Sequence, residues 1–111
     1  MPLCLDHPAH QSVCDPRCIP IEGWALQENP NEPLTSVEAW LGDTCIGRTE
    51  WFFHRDDVTQ SQALGTPRRT GFAFMGVTHG AADDIAELKI TTRAHDQVVH
   101  TLTRTLKLEP A

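Results

Sequence analysis

The first eighteen residues concentrate side chains that bind metals. Two imidazoles and three thiols occur there at intervals of two or three intervening residues, namely Cys4, His7, His10, Cys14 and Cys18. Thiolate sulfur and imidazole nitrogen are the ligands of tetrahedral structural zinc. The intervals differ from the paired Cys-x2-Cys spacing of common zinc fingers. We therefore predict no metal site, and we keep a zinc-stabilised structural module on these five residues as an alternative.

The thiols have a second chemistry, which is oxidation to disulfides. Disulfides persist in oxidising compartments, whereas cytosolic thiols stay reduced. The start of the chain, residues 1–6, has neither the basic segment nor the long apolar core of a secretory signal. We expect a cytoplasmic protein with free, partly buried thiols, and a disulfide within Cys14, Cys18 and Cys45 if the protein is exported.

Arg55 and Asp57 form a charged pair that has two interpretations. A guanidinium can satisfy a carboxylate and nearby carbonyl groups at once, so the pair could bind a sugar or take part in catalysis. It could equally clamp a loop against the sheet, with Val58 packed beneath it. Ion pairs with a purely structural role also perturb the pKa values of their side chains. We therefore predict that this pair clamps the loop.

Three tryptophans are candidates for contact with a ligand. Trp24 follows Gly23, a residue that marks a bulge or a close backbone approach, so we predict a structural role for both. Trp40 and Trp51 lie on either side of a turn at 42–44 and could pair across two strands. These two are the candidates for a ligand-binding patch, with burial in the core as the alternative.

No residue pattern specifies a reaction. The sequence has neither a Gly-x-Ser-x-Gly elbow nor a Gly-rich phosphate loop. We therefore predict a protein that is not an enzyme and that needs no cofactor. The net charge of −6 argues against a nucleic-acid partner, because binding to phosphates needs clustered basic side chains. No apolar run approaches the roughly 20 residues of a membrane span.

Period-two patterns dominate the chain and predict strands at 19–25, 36–41, 70–77, 86–94 and 98–108. Turn residues at 42–44 and 95–97 predict hairpins. Helical periodicity is confined to two short candidates, at 57–63 and 81–88. About seven strands at roughly ten-residue spacing are typical of a sandwich of two antiparallel sheets. The length of 111 residues fits one domain, spanning 1–111.

The ordered motifs resemble a family of bacterial domains. They are Asp6-His7-Pro8, the strand from Ile19 to Gly23-Trp24, Arg55-Asp56-Asp57-Val58, Gly71-Phe72 and Ala94-His95-Asp96. In this order and spacing the chain resembles the immunoglobulin-like β-sandwich accessory domains that are attached to bacterial glycosyltransferases and methyltransferases. Asp56 departs from the pattern, since proline is usual there.

The resemblance implies an immunoglobulin-like antiparallel sandwich of about seven strands with a non-catalytic, accessory function. Its partner would be a catalytic domain or protein of the glycosyltransferase type, or a glycan. The family has no assigned catalytic residues, so none is transferred to this chain. A carbohydrate-binding module that uses its exposed tryptophans is the competing hypothesis.

Overall fold

The computed structural model describes residues 3–26, 33–61, 69–78 and 85–109. These ranges form nine strands and one helix, in the order β1 (Leu3–His7), β2 (Val13–Cys14), β3 (Ile19–Ala25), β4 (Ser36–Leu41), β5 (Thr44–Thr49), β6 (Phe53–His54), α1 (Asp56–Ser61), β7 (Arg69–Gly76), β8 (Ile85–Ala94) and β9 (Gln97–Leu108). No helix in these ranges is long and apolar enough to cross a membrane.

The strands form two sheets. One has the order β1-β3-β7-β6 and the other the order β2-β9-β8-β4-β5. Neighbouring strands are antiparallel, except that β2 runs parallel to β9. The sheet of β1, β3, β7 and β6 faces the sheet that is built around β9, β8 and β4. Immunoglobulin-like sandwiches have this arrangement. The predicted fold class, an immunoglobulin-like antiparallel sandwich, is therefore confirmed, with nine strands in the described ranges in place of the predicted seven or so because the two-residue strands β2 and β6 add to the count.

Most predicted elements agree with the structure. The hairpins at 42–43 and 95–96 join β4 to β5 and β8 to β9. The helix candidate at 57–63 corresponds to α1, although residues 62 and 63 lie outside the described ranges. The helix candidate at 81–88 is wrong over 85–88, which belong to β8, while 81–84 lie outside the described residues. Ala86, Leu88 and Ile90 alternate as a strand requires, and the ladder with β9 extends that strand.

The core lies between the two sheets and follows the predicted alternation. The fully buried large apolar side chains come from both sheets, namely Ile19, Ile21, Val37, Phe72, Leu88, Ile90 and Leu106, and from α1, which contributes Val58. Burying each such side chain contributes about 1.5 to 3 kcal/mol. The intervening residues, such as Glu22 and Lys89, point to solvent.

Two segments change sheets and cover the open sides of the sandwich. The first runs from β1 to β2, where Lys107 N donates to Ser12 O at 2.9 Å and Glu109 N donates to Cys14 O at 2.9 Å. The second runs from β5 to β6 along the edge of β7, where Val77 N donates to Ile46 O at 2.9 Å. Each segment forms backbone hydrogen bonds first with one sheet and then with the other. It therefore satisfies backbone donors and acceptors at an edge of both sheets.

Gly23 and Trp24 lie where β1, β3 and β7 meet. A Cβ atom at Gly23 would overlap the carbonyl oxygen of Cys4 and lie 3.0 Å from the ring of Phe72. The strands therefore approach closely because position 23 carries no side chain. Trp24 is 9% exposed and pairs with Cys4 in the β1–β3 ladder.

A guanidinium joins the end of β1 to the start of α1. Arg55 Nη1 donates to Asp6 Oδ2 at 2.6 Å, and its Nε and Nη2 donate to the two carboxylate oxygens of Asp57 at 3.0 and 2.5 Å. Val58 follows and is 1% exposed. We call this group of four residues, Asp6, Arg55, Asp57 and Val58, the Arg55 clamp. It fastens the end of β1 to the start of α1 at one end of the four-stranded sheet.

Gly71 makes room for the stem of the clamp arginine. It faces Phe53 in the β6–β7 ladder. A Cβ atom there would lie 2.5 Å from the Phe53 ring and 2.8 Å from Arg55 Cδ. The next residue, Phe72, is fully buried. The Gly-Phe pair thus combines a space for the clamp with a core side chain.

The clamp changes the proton affinities of Arg55 and Asp57. The hydrogen bonds from Arg55 lower the pKa of the Asp57 carboxyl, and the same bonds raise the pKa of Arg55. Charge-assisted bidentate bonds of this kind favour the ionised form of both groups.

We expect Gly23→Ala to destabilise the fold by about 1 to 3 kcal/mol, because overpacking forces strands apart. The measurement is the midpoint of urea unfolding. Gly42→Asn is the control: Gly42 has a φ of 58° and no atom within 4 Å of an added Cβ, and asparagine tolerates this conformation. An unchanged midpoint for Gly23→Ala would contradict the close approach.

We expect Asp57→Asn to lower the melting temperature near neutral pH, and we expect this difference to shrink as the pH falls. A carboxyl whose pKa is lowered by folding stabilises the protein above its unfolded pKa, and this contribution disappears as the pH falls through the folded value. Melting curves followed by circular dichroism from neutral pH down to about pH 2, below the ordinary range of Asp pKa values, measure the difference. Asp56→Asn is the control, since the Asp56 side chain is 86% exposed. Equal melting temperatures near neutral pH would refute the stabilising clamp.

Candidate functional site

A shallow groove lies on the outer face of the five-stranded sheet. Its volume is about 200 Å³, and it is lined by Trp40, Gly42, Asp43, Lys89, Thr91, Arg93 and Val98. We call it the Trp40 groove. It combines an aromatic ring with two cations, one carboxylate and a hydroxyl group.

Strand alternation puts these side chains on one face. Val37 and Ala39 of β4 are buried in the core, so Trp40 points to the opposite face. Trp40 pairs with Lys89 in the β4–β8 ladder. Residues directly opposite in an antiparallel pair have neighbouring side chains. The groove is therefore built on central strands and completed by the turn at 42–43.

The two cations of the groove are held differently. Arg93 Nε donates to Glu38 Oε1 at 2.5 Å, and Arg93 Nη1 donates to the carbonyl oxygen of Asp96 at 3.2 Å. Lys89 Nζ lies 5.7 Å from the centre of the Trp40 ring, a cation–π contact. The ion pairs found among the described residues do not include Lys89. Its ammonium group can therefore turn to an incoming partner without breaking a salt bridge.

The groove has the chemistry of a binding surface. An indole ring provides apolar contact and a hydrogen-bond donor. Lys89 and Asp43 add a donor and an acceptor at its sides. Such a surface fits a polar partner with apolar patches, which describes both a folded protein and a sugar ring.

Trp51 lies on a different surface from Trp40. The cross-strand partner of Trp40 on β5 is Cys45, so the predicted pairing of the two tryptophans is wrong. A register shift follows Ala39, and β5 ends at Thr49, before Trp51 is reached. Trp51 is 64% exposed in the segment that changes sheets, and its ring lies 5.6 Å from that of Phe53.

The five candidate zinc ligands are separated in the structure. Three or more His, Cys, Asp or Glu side chains that could hold a metal ion do not occur together among the described residues. Cys4 lies in β1, Cys14 ends β2, and Cys18 precedes β3. His10 Nδ1 instead accepts a hydrogen bond from Thr105 N at 3.3 Å. The structure therefore gives no support to the zinc-stabilised alternative.

All four cysteines are described, and each is a free thiol. Cys4 and Cys14 are half-buried, whereas Cys18 and Cys45 are exposed. The sequence did not indicate the neighbour of Cys18: its Sγ lies 3.2 Å from the Sδ of Met75. These residues are 57 positions apart, so only the sheet topology brings them together.

Comparison with known proteins identifies the fold. No family model and no curated protein matches the chain. A solved structure of the fibronectin(III)-like modules of Clostridium thermocellum CbhA matches 98% of this chain at 15% sequence identity, with a TM-score of 0.53. The present chain covers 46% of that chain, which is less than half of its length. Fibronectin type III domains share the sandwich architecture of immunoglobulins. The chain is thus similar in fold to these modules.

Proposed function

We propose that residues 1–111 form a single non-catalytic accessory module that binds a glycosyltransferase-type enzyme through the Trp40 groove. The observation that carries the proposal is the groove itself, where an aromatic side chain lies beside an ammonium group that takes part in none of the ion pairs of the described residues, on a sheet face supported by the core. A sandwich fold hosts many functions, so the fold alone does not indicate this one, and the proposal rests on the groove. The kind of partner, a glycosyltransferase-type enzyme, is inferred from the resemblance of the ordered motifs to the accessory domains.

The groove has the composition of an interface centre. Tryptophan and arginine are enriched among the side chains that dominate binding energy, and the rim around them is polar. Here Trp40 would be the anchor. Arg93, already fixed by Glu38, would present its remaining guanidinium surface without a further loss of rotamer freedom. Val98, 49% exposed, adds apolar area beside it.

The proposed cellular location follows from the same hypothesis. A partner that builds glycans from activated sugars in the cytoplasm would meet an accessory module there. Four free thiols fit a reducing compartment.

A specific observation favours the second candidate, a carbohydrate-binding module. Trp51 exposes 64% of its surface beside Phe53, and Trp40 lies in a groove with hydrogen-bonding groups. Either indole could stack on a sugar ring. The two surfaces are separate, so each would take its own ligand.

We expect the accessory module to bind the glycosyltransferase-type enzyme that is encoded in the same gene or beside it. In isothermal titration calorimetry with that enzyme, Trp40→Ala should weaken binding at least about tenfold, as for an interface hot spot. Trp51→Ala is the matched control and should bind as the parent does. The proposal fails if Trp40→Ala binds normally, or if the gene and its neighbours encode no glycan-handling enzyme.

The carbohydrate-binding hypothesis predicts a saturable change in tryptophan fluorescence when oligosaccharides are added. The change should disappear in Trp40→Phe or in Trp51→Phe, whichever residue contacts the sugar, because stacking alters the emission of that indole alone. A panel of neutral and acidic oligosaccharides is the probe. Constant emission with every sugar would exclude this candidate and leave the accessory function untouched.

A further inference from the structure

Exposed aliphatic side chains continue the outer face of the five-stranded sheet beyond the Trp40 groove. Ile85 pairs with Lys107 in the β8–β9 ladder, and Val13 pairs with the same lysine in the β2–β9 ladder. Residues that pair across strands have side chains on the same face. Ile85 is 66% exposed and Val13 is 58% exposed. We call these three residues, Val13, Lys107 and Ile85, the Ile85 patch.

The Ile85 patch and the Trp40 groove lie on the same side of the molecule. Leu88 and Ile90 of β8 are buried in the core. Ile85 and Lys89 occupy the alternate positions of that strand, so both lie on the outer face. At about 3.3 Å per residue, the step from Ile85 to Lys89 is about 13 Å. The patch and the groove are therefore two ends of one surface.

The strip of β8 between these two ends carries opposite charges. Glu87 and Lys89 are both exposed and lie on the outer face with one residue between them. Neither takes part in the ion pairs found among the described residues. Complementary charges on a partner steer its approach and fix its register. A partner that fits this strip places a cation at Glu87 and a carboxylate at Lys89.

The area of the face indicates how much of it a protein partner would cover. A specific protein interface removes at least about 600 Å² of surface from each partner. Five strands about 4.8 Å apart, followed from Ile85 to Arg93 at about 3.3 Å per residue, span no more than roughly 700 Å². The Trp40 groove is only one part of that area. A protein held on this face must therefore cover most of it, including the Ile85 patch.

We propose that the glycosyltransferase-type enzyme covers the outer face from the Trp40 groove to the Ile85 patch. This surface rests on the proposed function, because it takes the same enzyme as its occupant. The matching surface of the enzyme has two apolar side chains about 13 Å apart, with a cation and a carboxylate between them that meet Glu87 and Lys89. A sugar ring, in contrast, would occupy the groove and leave the patch in water.

The test is isothermal titration calorimetry with the purified enzyme that is encoded in the same gene or beside it. The double variant Val13→Ser, Ile85→Ser should weaken binding at least about tenfold, because it removes one apolar anchor. Glu87→Lys should also weaken binding, because it places a cation opposite the cation of the enzyme. Met75→Ser is the matched control: Met75 is a 47% exposed apolar residue of the other sheet, and its loss should leave the affinity unchanged.

A second measurement locates the contact without any substitution. In protein labelled with ¹³C at the methyl groups of Ile, Val and Met, the enzyme should shift or broaden the resonances of Ile85 and Val13. The resonance of Met75 should not move. Melting curves of the variants verify that each of them is folded.

The outcomes separate this surface from the proposed function. If Trp40→Ala weakens binding while the double variant binds like the parent, or if the Ile85 and Val13 resonances stay in place, the enzyme uses the groove alone and the larger surface is overturned. If the parent does not bind, or if Trp40→Ala binds normally, the proposed function fails and this surface fails with it. A dimer of the parent in sedimentation equilibrium that the double variant abolishes would assign the face to a second copy of the chain, which also overturns the proposal.

Discussion

Unpaired backbone groups at sheet edges are the constraint on which this small sandwich depends. Two packed sheets have four edges, and each exposes donors and acceptors that invite other chains to pair. Here two segments that change sheets cover the open sides, one from β1 to β2 and one from β5 to β6. Glycines make the close contacts possible: a Cβ at Gly47 would lie 2.7 Å from the Met75 carbonyl oxygen, and one at Gly76 would lie 2.8 Å from Ile46 Cδ1.

The long strands and their hairpins could be predicted because their signals are local. Alternation in β3, β4, β8 and β9 shows directly which residues enter the core. The two-residue strands β2 and β6 could not be predicted, because two residues are too few to show an alternation of buried and exposed side chains. The helix candidate at 81–88 had helical spacing over too short a stretch, and the pairing of β8 with β9 makes 85–88 a strand.

The candidate site was predictable only in part, since it depends on register. Trp40 was identified by its residue type, but its neighbours Lys89 and Arg93 follow from the β4–β8 ladder, which the sequence does not specify. Trp51 was separated from Trp40 by a register shift and a change of sheet. The contact of Cys18 with Met75 depends on the pairing of β3 with β7, whereas the zinc interpretation relied on sequence proximity.

The placement of the groove on β4, β8 and β9 has an evolutionary consequence. Alternate residues of these strands support the core, while the positions between them line the outer face and would carry any recognition there. Replacement of Trp40, Lys89 or Thr91 would therefore leave the hydrophobic interior nearly intact. Such a scaffold lets descendants of one gene acquire new binding preferences by single substitutions, with little penalty in folding.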